Sequence, residues 1–118
     1  MMIPENIQID AILSDRIYNL VARYCEGEWG TLKARWTVPF EAIVQEAERR
    51  GLECFVMQRP CLEGFWLAQT ASGYEVRYSE RGITTLEHTF STLTPAFRYW
   101  LQQSLSFHNL PCLKAKSW

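Results

Sequence analysis

At Gly51 the spacing of apolar residues changes, and that change limits the chain to a mixed architecture. Before it, Phe40, Ile43, Val44 and Ala47 recur at three- and four-residue intervals in TVPFEAIVQEAERRG, the spacing of a helix with one buried stripe. After it, LECFVMQ, FWLAQ, YEVRYS and ITTLEHTF alternate apolar and polar residues in short runs separated by turn residues. Thr37 and Pro39 mark the start of the helix as cap and first-turn residue. Arg49 and Arg50 fall in its last turn, where they complement the negative end of the helix dipole.

Two turn sequences divide the alternating region. ASG at 71–73 and SERG at 79–82 each place a glycine where a hairpin needs positive φ, Gly73 in the first and Gly82 in the second. The four runs therefore predict a four-stranded antiparallel meander. In the third run Tyr74, Val76 and Tyr78 point to one face, while Glu75 and Arg77 point to the other. One face is expected to pack on helices and the other to meet water or a partner.

Helices are expected on both sides of this region. Ile9, Ile12, Leu13, Ile17, Leu20, Val21 and Tyr24 predict one helix from about Ile7 to Tyr24, closed by Gly27. EGEWGTLKARW has two glycines and no clean period, and reads as a loop or short extended piece. TLTPAFRYWLQQSLSFHN predicts a final helix with Thr94 as cap and Phe97, Trp100, Leu101 and Leu105 on its stripe. Residues 110–118 are expected to form a loose tail. The fold class is α+β, a single domain over 1–118 with the sheet packed against N-terminal helices and a C-terminal helix.

Charge and composition narrow the function. A net charge of −1, from 12 basic and 13 acidic residues, gives no basic excess to displace counterions, so no nucleic-acid partner is expected. No run approaches the roughly twenty apolar residues of a membrane span. The opening MMIPENIQID has neither a basic flank nor an apolar run, so the expected compartment is the cytoplasm. Cys25, Cys54, Cys61 and Cys112 then read as free thiols.

Chemistry-bearing patterns are sparse. GxSxG, GxxxxGK[ST] and HExxH do not occur. Pairings of the four cysteines with His88 and His108 could make a nucleophile, but chance alone offers such pairs. Their test is convergence of Cys61, His88, His108 and Cys112 in space. His108 with Cys112, and Cys54 with Cys61, lack the close CxxC-like form of structural zinc sites. Glu75 and Glu87 could pair across neighbouring strands, but Arg77 and Arg81 would keep both ionised, which does not suit a general acid. No catalytic residue, metal or cofactor is expected, and the chain reads as a non-enzyme.

Two surface features remain. YEVRYSERG places Glu75, Arg77, Glu80 and Arg81 on a strand face and turn. Mixed charge of this kind serves either cross-strand pairing or partner discrimination. Trp29 lies between Glu28 and Gly30, after Glu26, where a tryptophan can be a contact residue or fold back onto the domain.

The strand YEVRYSERG, a following strand ending at Phe90, and the helix opening TPAFRYWL with Ala96 and Phe97 resemble a pattern among bacterial immunity proteins. These are small inhibitors that protect a cell from its own polymorphic or contact-dependent growth-inhibition toxins. The helix with Phe40 near its start and Gly51 at its end is similar too, so the resemblance covers residues 37 to 106. It implies a cytosolic protein that neutralises one cognate toxin C-terminal domain by protein–protein contact. The expected toxin-binding residues are Glu75, Arg77, Glu80, Arg81, Glu26, Glu28 and Trp29. A second expectation, needing the same kind of surface, is a small adaptor or chaperone-like module for an effector protein or peptide.

Overall fold

The computed structural model describes residues 2–61 and 63–114. Among them the chain runs α1 (Glu5–Leu13), α2 (Ile17–Tyr24), α3 (Trp29–Arg35), α4 (Phe40–Arg50), a 3-10 turn (Leu52–Phe55), β1 (Gly64–Thr70), β2 (Gly73–Glu80), β3 (Ile83–Phe90) and α5 (Leu93–Phe107). The α+β class holds. The described residues divide into two compact units: a helical one, 2–49 with 108–114, and a sheet one, 50–107.

In the helical unit the predicted helix over 7–24 is two helices. Asp15 adopts φ 55°, and the amide of Arg16 donates to the carbonyl of Ala11 at 2.8 Å. That bond pattern, with a left-handed residue after the cap, ends a helix in the way glycine usually does, and a short acidic side chain tolerates it. The apolar stripe continues in register across the break, so periodicity alone conceals it. Ile17, Leu20 and Val21 are buried, as expected. Gly27 closes α2 at φ 81°, preceded by Glu26 at φ 51°. Arg35 donates from Nη1 to the carbonyl of Tyr24 at 2.7 Å, satisfying an acceptor in the last turn of α2.

The stretch read as a loop contains α3. Its apolar contacts are Leu32 and Trp36, four residues apart and 0% and 4% exposed. Two glycines leave the period with only these two members, which is why it does not register as helical. α4 buries Ile43, Val44 and Ala47 of the expected stripe and leaves Phe40 half-buried, with Gly51 at φ 95° beyond its end. The expected cap does not form as drawn. The Pro39 carbonyl accepts from the amides of Ala42 and Ile43, while the Thr37 hydroxyl accepts from Gln8 Nε2 at 2.9 Å. Nor is the start of the expected tail loose: Leu110 is buried, and the carbonyl of Leu113 accepts from the Phe40 amide at 2.8 Å. Residues 115–118 of that tail lie outside the described residues.

Gln8 organises this unit. Fully buried, it donates from Nε2 to the Ile3 carbonyl at 2.8 Å and to Thr37 Oγ1 at 2.9 Å. Its Oε1 accepts from the amides of Thr37 at 2.9 Å and Val38 at 3.3 Å. An amide side chain can satisfy donors and acceptors at once, so one buried polar group costs little here.

The sheet unit has three strands among its described residues, where four were expected. The segment read as the first strand forms the 3-10 turn instead, because Leu52, Phe55 and Val56 place apolar groups three and four apart. Phe55 meets Phe97 of α5 at a ring-centroid distance of 5.5 Å. What survives of a fourth strand is one parallel bridge, Val56 to Leu67, with the Met57 amide donating to the Leu67 carbonyl at 2.7 Å.

β1, β2 and β3 form the predicted antiparallel meander in sequence order. Arg81 and Gly82 make the second hairpin loop, at φ 52° and 82°, the left-handed pair of a type I′ turn. Gly73 is needed for a different reason from the one expected. Its φ is not positive; a Cβ there would collide with the carbonyl oxygen of Phe90. α5 covers one face of the sheet, where Leu67 and Val76 are fully buried and Phe107 stands edge-on to Phe65 and Tyr78. Trp100 ties the helix to β1 through its Nε1, which donates to the Phe65 carbonyl at 3.0 Å.

Candidate functional site

The expected contact residues fall into two groups, one in each unit. In the sheet unit, register sets the charged group. Glu75 and Arg77 lie on the face of β2 opposite α5, beside Ala68 and Trp66 of β1. That face is less open than alternation implies. Trp66, Ala68 and Ser79 are buried, and the Glu75 and Arg77 side chains keep 19% and 24% of their exposure. The indole Nε1 of Trp66 donates to Ser79 Oγ at 2.9 Å, so the rows at 66 and 79 are locked together.

Arg77 donates from Nη1 to Glu75 Oε1 at 3.1 Å and from Nη2 to Thr84 Oγ1 at 3.4 Å. The two charges are therefore each other's partners, and much of their pairing is structural. Glu80 and Arg81 differ: both are exposed at the β2–β3 tip. The Glu75–Glu87 pairing, considered and set aside on sequence grounds, does not form. A bulge between Val76 and Arg77 sets Val76 opposite His88 and Arg77 opposite Leu86, leaving Glu87 as the extra residue, while Glu75 faces Thr89. Burial and the nearby carboxylates of Glu80 and Glu63 raise the pKa of Tyr78 above the ordinary phenol value.

In the helical unit, Glu26, Glu28 and Trp29 are all exposed, with Trp29 at 43%. Glu28 immediately precedes α3, and Trp29 is its first residue, so the tryptophan sits on a helix start and not in an irregular loop. Its ring lies nearly parallel to that of His108, 9° apart at a centroid distance of 6.2 Å, and 6.4 Å from the ring of Tyr18. Tyr18 is 73% exposed. Burial lowers the His108 pKa from its ordinary value and so favours the neutral imidazole, while the Asp15 carboxylate pulls the other way. Two exposed aromatics, Tyr18 and Trp29, backed by the half-buried His108 ring, thus stand in the same unit as Glu26 and Glu28.

Tyr18 and His108 were not among the residues expected here. Tyr18 carried a signal: it lies one position off the stripe of Ile17, Leu20, Val21 and Tyr24, so an aromatic was placed toward water. Nothing local in the sequence announces that His108, 79 positions after Trp29, returns to stack on it.

Among the described residues no group of three or more His, Cys, Asp or Glu side chains is arranged to hold a metal ion. No helix among them is long and apolar enough to cross a membrane. No protein-family model, curated protein or solved structure matches the chain.

Proposed function

We propose that this chain is an immunity protein of the cytoplasm, which binds and neutralises a cognate toxin C-terminal domain by surface contact and catalyses no reaction. The observation that carries this reading is the exposed Trp29–Tyr18 pair, backed by the half-buried ring of His108, with the exposed Glu26 and Glu28 next to Trp29 in the chain. Tryptophan and tyrosine dominate binding hot spots because they bury much area at low entropic cost. Neighbouring carboxylates add partner discrimination and on-rate. In the sheet unit the exposed Glu80–Arg81 tip is a separate candidate contact, with the paired Glu75 and Arg77 in the same strand region.

Backbone strain supports the same residues. Glu26 and Arg81 are non-glycine residues at φ 51° and 52°, a conformation costing about 1 kcal/mol for a side chain with Cβ. Asp15 and Asn109 share this conformation, but they are residue types that tolerate it more readily than Glu or Arg. A strained backbone at a side chain that a glycine could replace is a pointer to a role for that side chain outside the fold.

Co-expression with the C-terminal domain of a toxin candidate from the neighbouring reading frames tests the reading, scored by survival and co-purification. Trp29→Ala is expected to weaken toxin binding by at least about tenfold. Glu26→Gly and Arg81→Gly are expected to raise thermal stability while weakening binding, an opposite-sign pair that a purely structural role does not produce. Charge reversal at Glu75 or Arg77 should weaken binding. An equal loss of stability at those two positions would leave them a structural role only. Survival and binding untouched by Trp29→Ala and Arg81→Gly would remove the proposed surface. Co-purification with an effector that has no toxicity would instead favour the adaptor.

A further inference from the structure

α1 and α2 border a cleft of about 180 Å³ within the helical unit. That is well short of the ~300 Å³ at which pockets for drug-sized ligands begin. It suits one side chain or a small organic acid. Ile7, Ala11 and Leu20 line it, and the last two are 5% and 4% exposed, so the cleft has an apolar floor.

Donors crowd one wall. Arg16, Asn19 and Arg23 line the cleft from α2 and its cap, at spacings of three and four residues that put them on a single face. The Arg23 guanidinium carbon stands 5.5 Å from the centroid of the Tyr24 ring, which also lines the cleft and steadies the arginine. From α1 comes Asp10, whose Oδ1 accepts from Ser14 Oγ at 3.4 Å. Two guanidiniums against one carboxylate leave the wall with a formal charge of +1.

We infer that the α1–α2 cleft binds a carboxylate carried on a short apolar stem. Arg16 and Arg23 hold the carboxylate, with Asn19 as a neutral donor between them, and the apolar floor receives the stem. Asp10 sets the charge selectivity: it makes the cleft a poor site for a doubly charged phosphate and leaves it suited to a single negative charge. Guanidiniums match a carboxylate with paired N–H donors, which ammonium groups do not. The cleft does not depend on the toxin-binding reading, since none of its residues belongs to that surface.

The test is an amide NMR titration of the full chain with four probes: N-acetyl-leucine, its uncharged amide, a pentapeptide of four alanines ending in a leucine with a free carboxylate, and inorganic phosphate. Saturable shifts at Arg16, Asn19 and Arg23 are expected with both carboxylates, and not with the amide. Tighter binding of N-acetyl-leucine identifies a small organic acid as the ligand; tighter binding of the pentapeptide identifies a chain terminus. Arg16→Gln and Arg23→Gln should each weaken the better probe by about tenfold, the loss of one charged hydrogen bond. Asp10→Asn should tighten phosphate. Equal shifts with acid and amide, phosphate stronger than carboxylate, indifference to both arginine variants, or no saturable shift would each overturn the inference.

Discussion

Each of the two units is tied internally by a different means. In the sheet unit the chain meets itself locally: β1 with β2 and β2 with β3 pair across two-residue loops, and each ladder satisfies its own backbone groups. The helical unit relies on a side chain to close distant segments, with Gln8 bonded to Ile3 on one side and to Thr37 and Val38 on the other, 29 and 30 positions away. Local pairing spreads stability over many small terms. A buried hub concentrates it in one residue, so the helical unit should be the more sensitive to a single substitution.

Gln8→Ala tests that contrast most severely. It leaves the Ile3 carbonyl and the Val38 amide without their partner in a buried setting and opens a void. Urea unfolding should show a loss of about 3–4 kcal/mol. Gln8→Glu keeps the shape and the acceptor but removes the donor to Ile3 and Thr37, and is expected to be comparably damaging. A loss under about 1 kcal/mol for the alanine variant would mean that water replaces the hub, and the contrast would fail.

The sheet unit should yield most at its single close approach. Gly73→Ala drives a Cβ into the Phe90 carbonyl oxygen, backbone that has little room to move, and should cost about 2–3 kcal/mol. Gly82→Ala meets no neighbouring atom and carries only the φ penalty at 82°, about 1 kcal/mol. Reversal of that order would show that turn conformation, not the approach of the Gly73 edge to β3, limits the meander. Thermal melts of the two variants decide it.

Two buried indoles sharpen the comparison with a smaller effect. Trp66 in the sheet unit has its Nε1 bonded to Ser79, whereas Trp36 in the helical unit is 4% exposed with its Nε1 unpaired among the described residues. Trp66→Phe loses volume and strands the Ser79 hydroxyl. Trp36→Phe loses similar volume but removes an unsatisfied donor. Trp36→Phe should therefore be the milder of the two by about 1–2 kcal/mol in chemical denaturation.

The same contrast explains what could be read from the chain before its structure. The three strands, the hairpin at Arg81–Gly82, α4 and α5 rest on patterns that repeat every two to four residues, and a short window holds them. The break at Asp15 went unseen because an aspartate took a glycine's place while the apolar stripe ran on. α3 stayed hidden behind Gly27 and Gly30. The first expected strand failed because LECF fits alternation and a 3-10 turn about equally, and packing of Phe55 on Phe97 decided between them. Gln8, polar and mid-helix, offers no local sign that it is buried at all. At the candidate site, the exposure of Glu80, Arg81, Glu26 and Glu28 agrees with their charge, whereas the sequence leaves Trp29 open between contact and folding back, and the structure shows it part-exposed and stacked on His108. The half-burial of Glu75 and Arg77 does not, because alternation assigns a residue to a face without saying what lies over that face.

The smallest effect belongs to His108, and it reaches the helical unit through protonation. Burial lowers its pKa below the usual 6.5, with Asp15 pulling the other way. The unfolded chain therefore takes up a proton more readily than the folded one. Stability should be flat above the unfolded value, then fall as pH drops through it toward the lower folded value, and level off below that. Protonation also places a charge on the ring stacked against Trp29, so the indole fluorescence should change over the same interval. His108→Gln removes this titration. Compared with the parent chain in urea melts from pH ~8 to ~5, the variant should lose part of the slope, and the Trp29 signal should lose its pH dependence. An unchanged slope would mean that the imidazole is as well solvated in the folded chain as in the unfolded one, and that the aromatic trio is more open than its stacking implies.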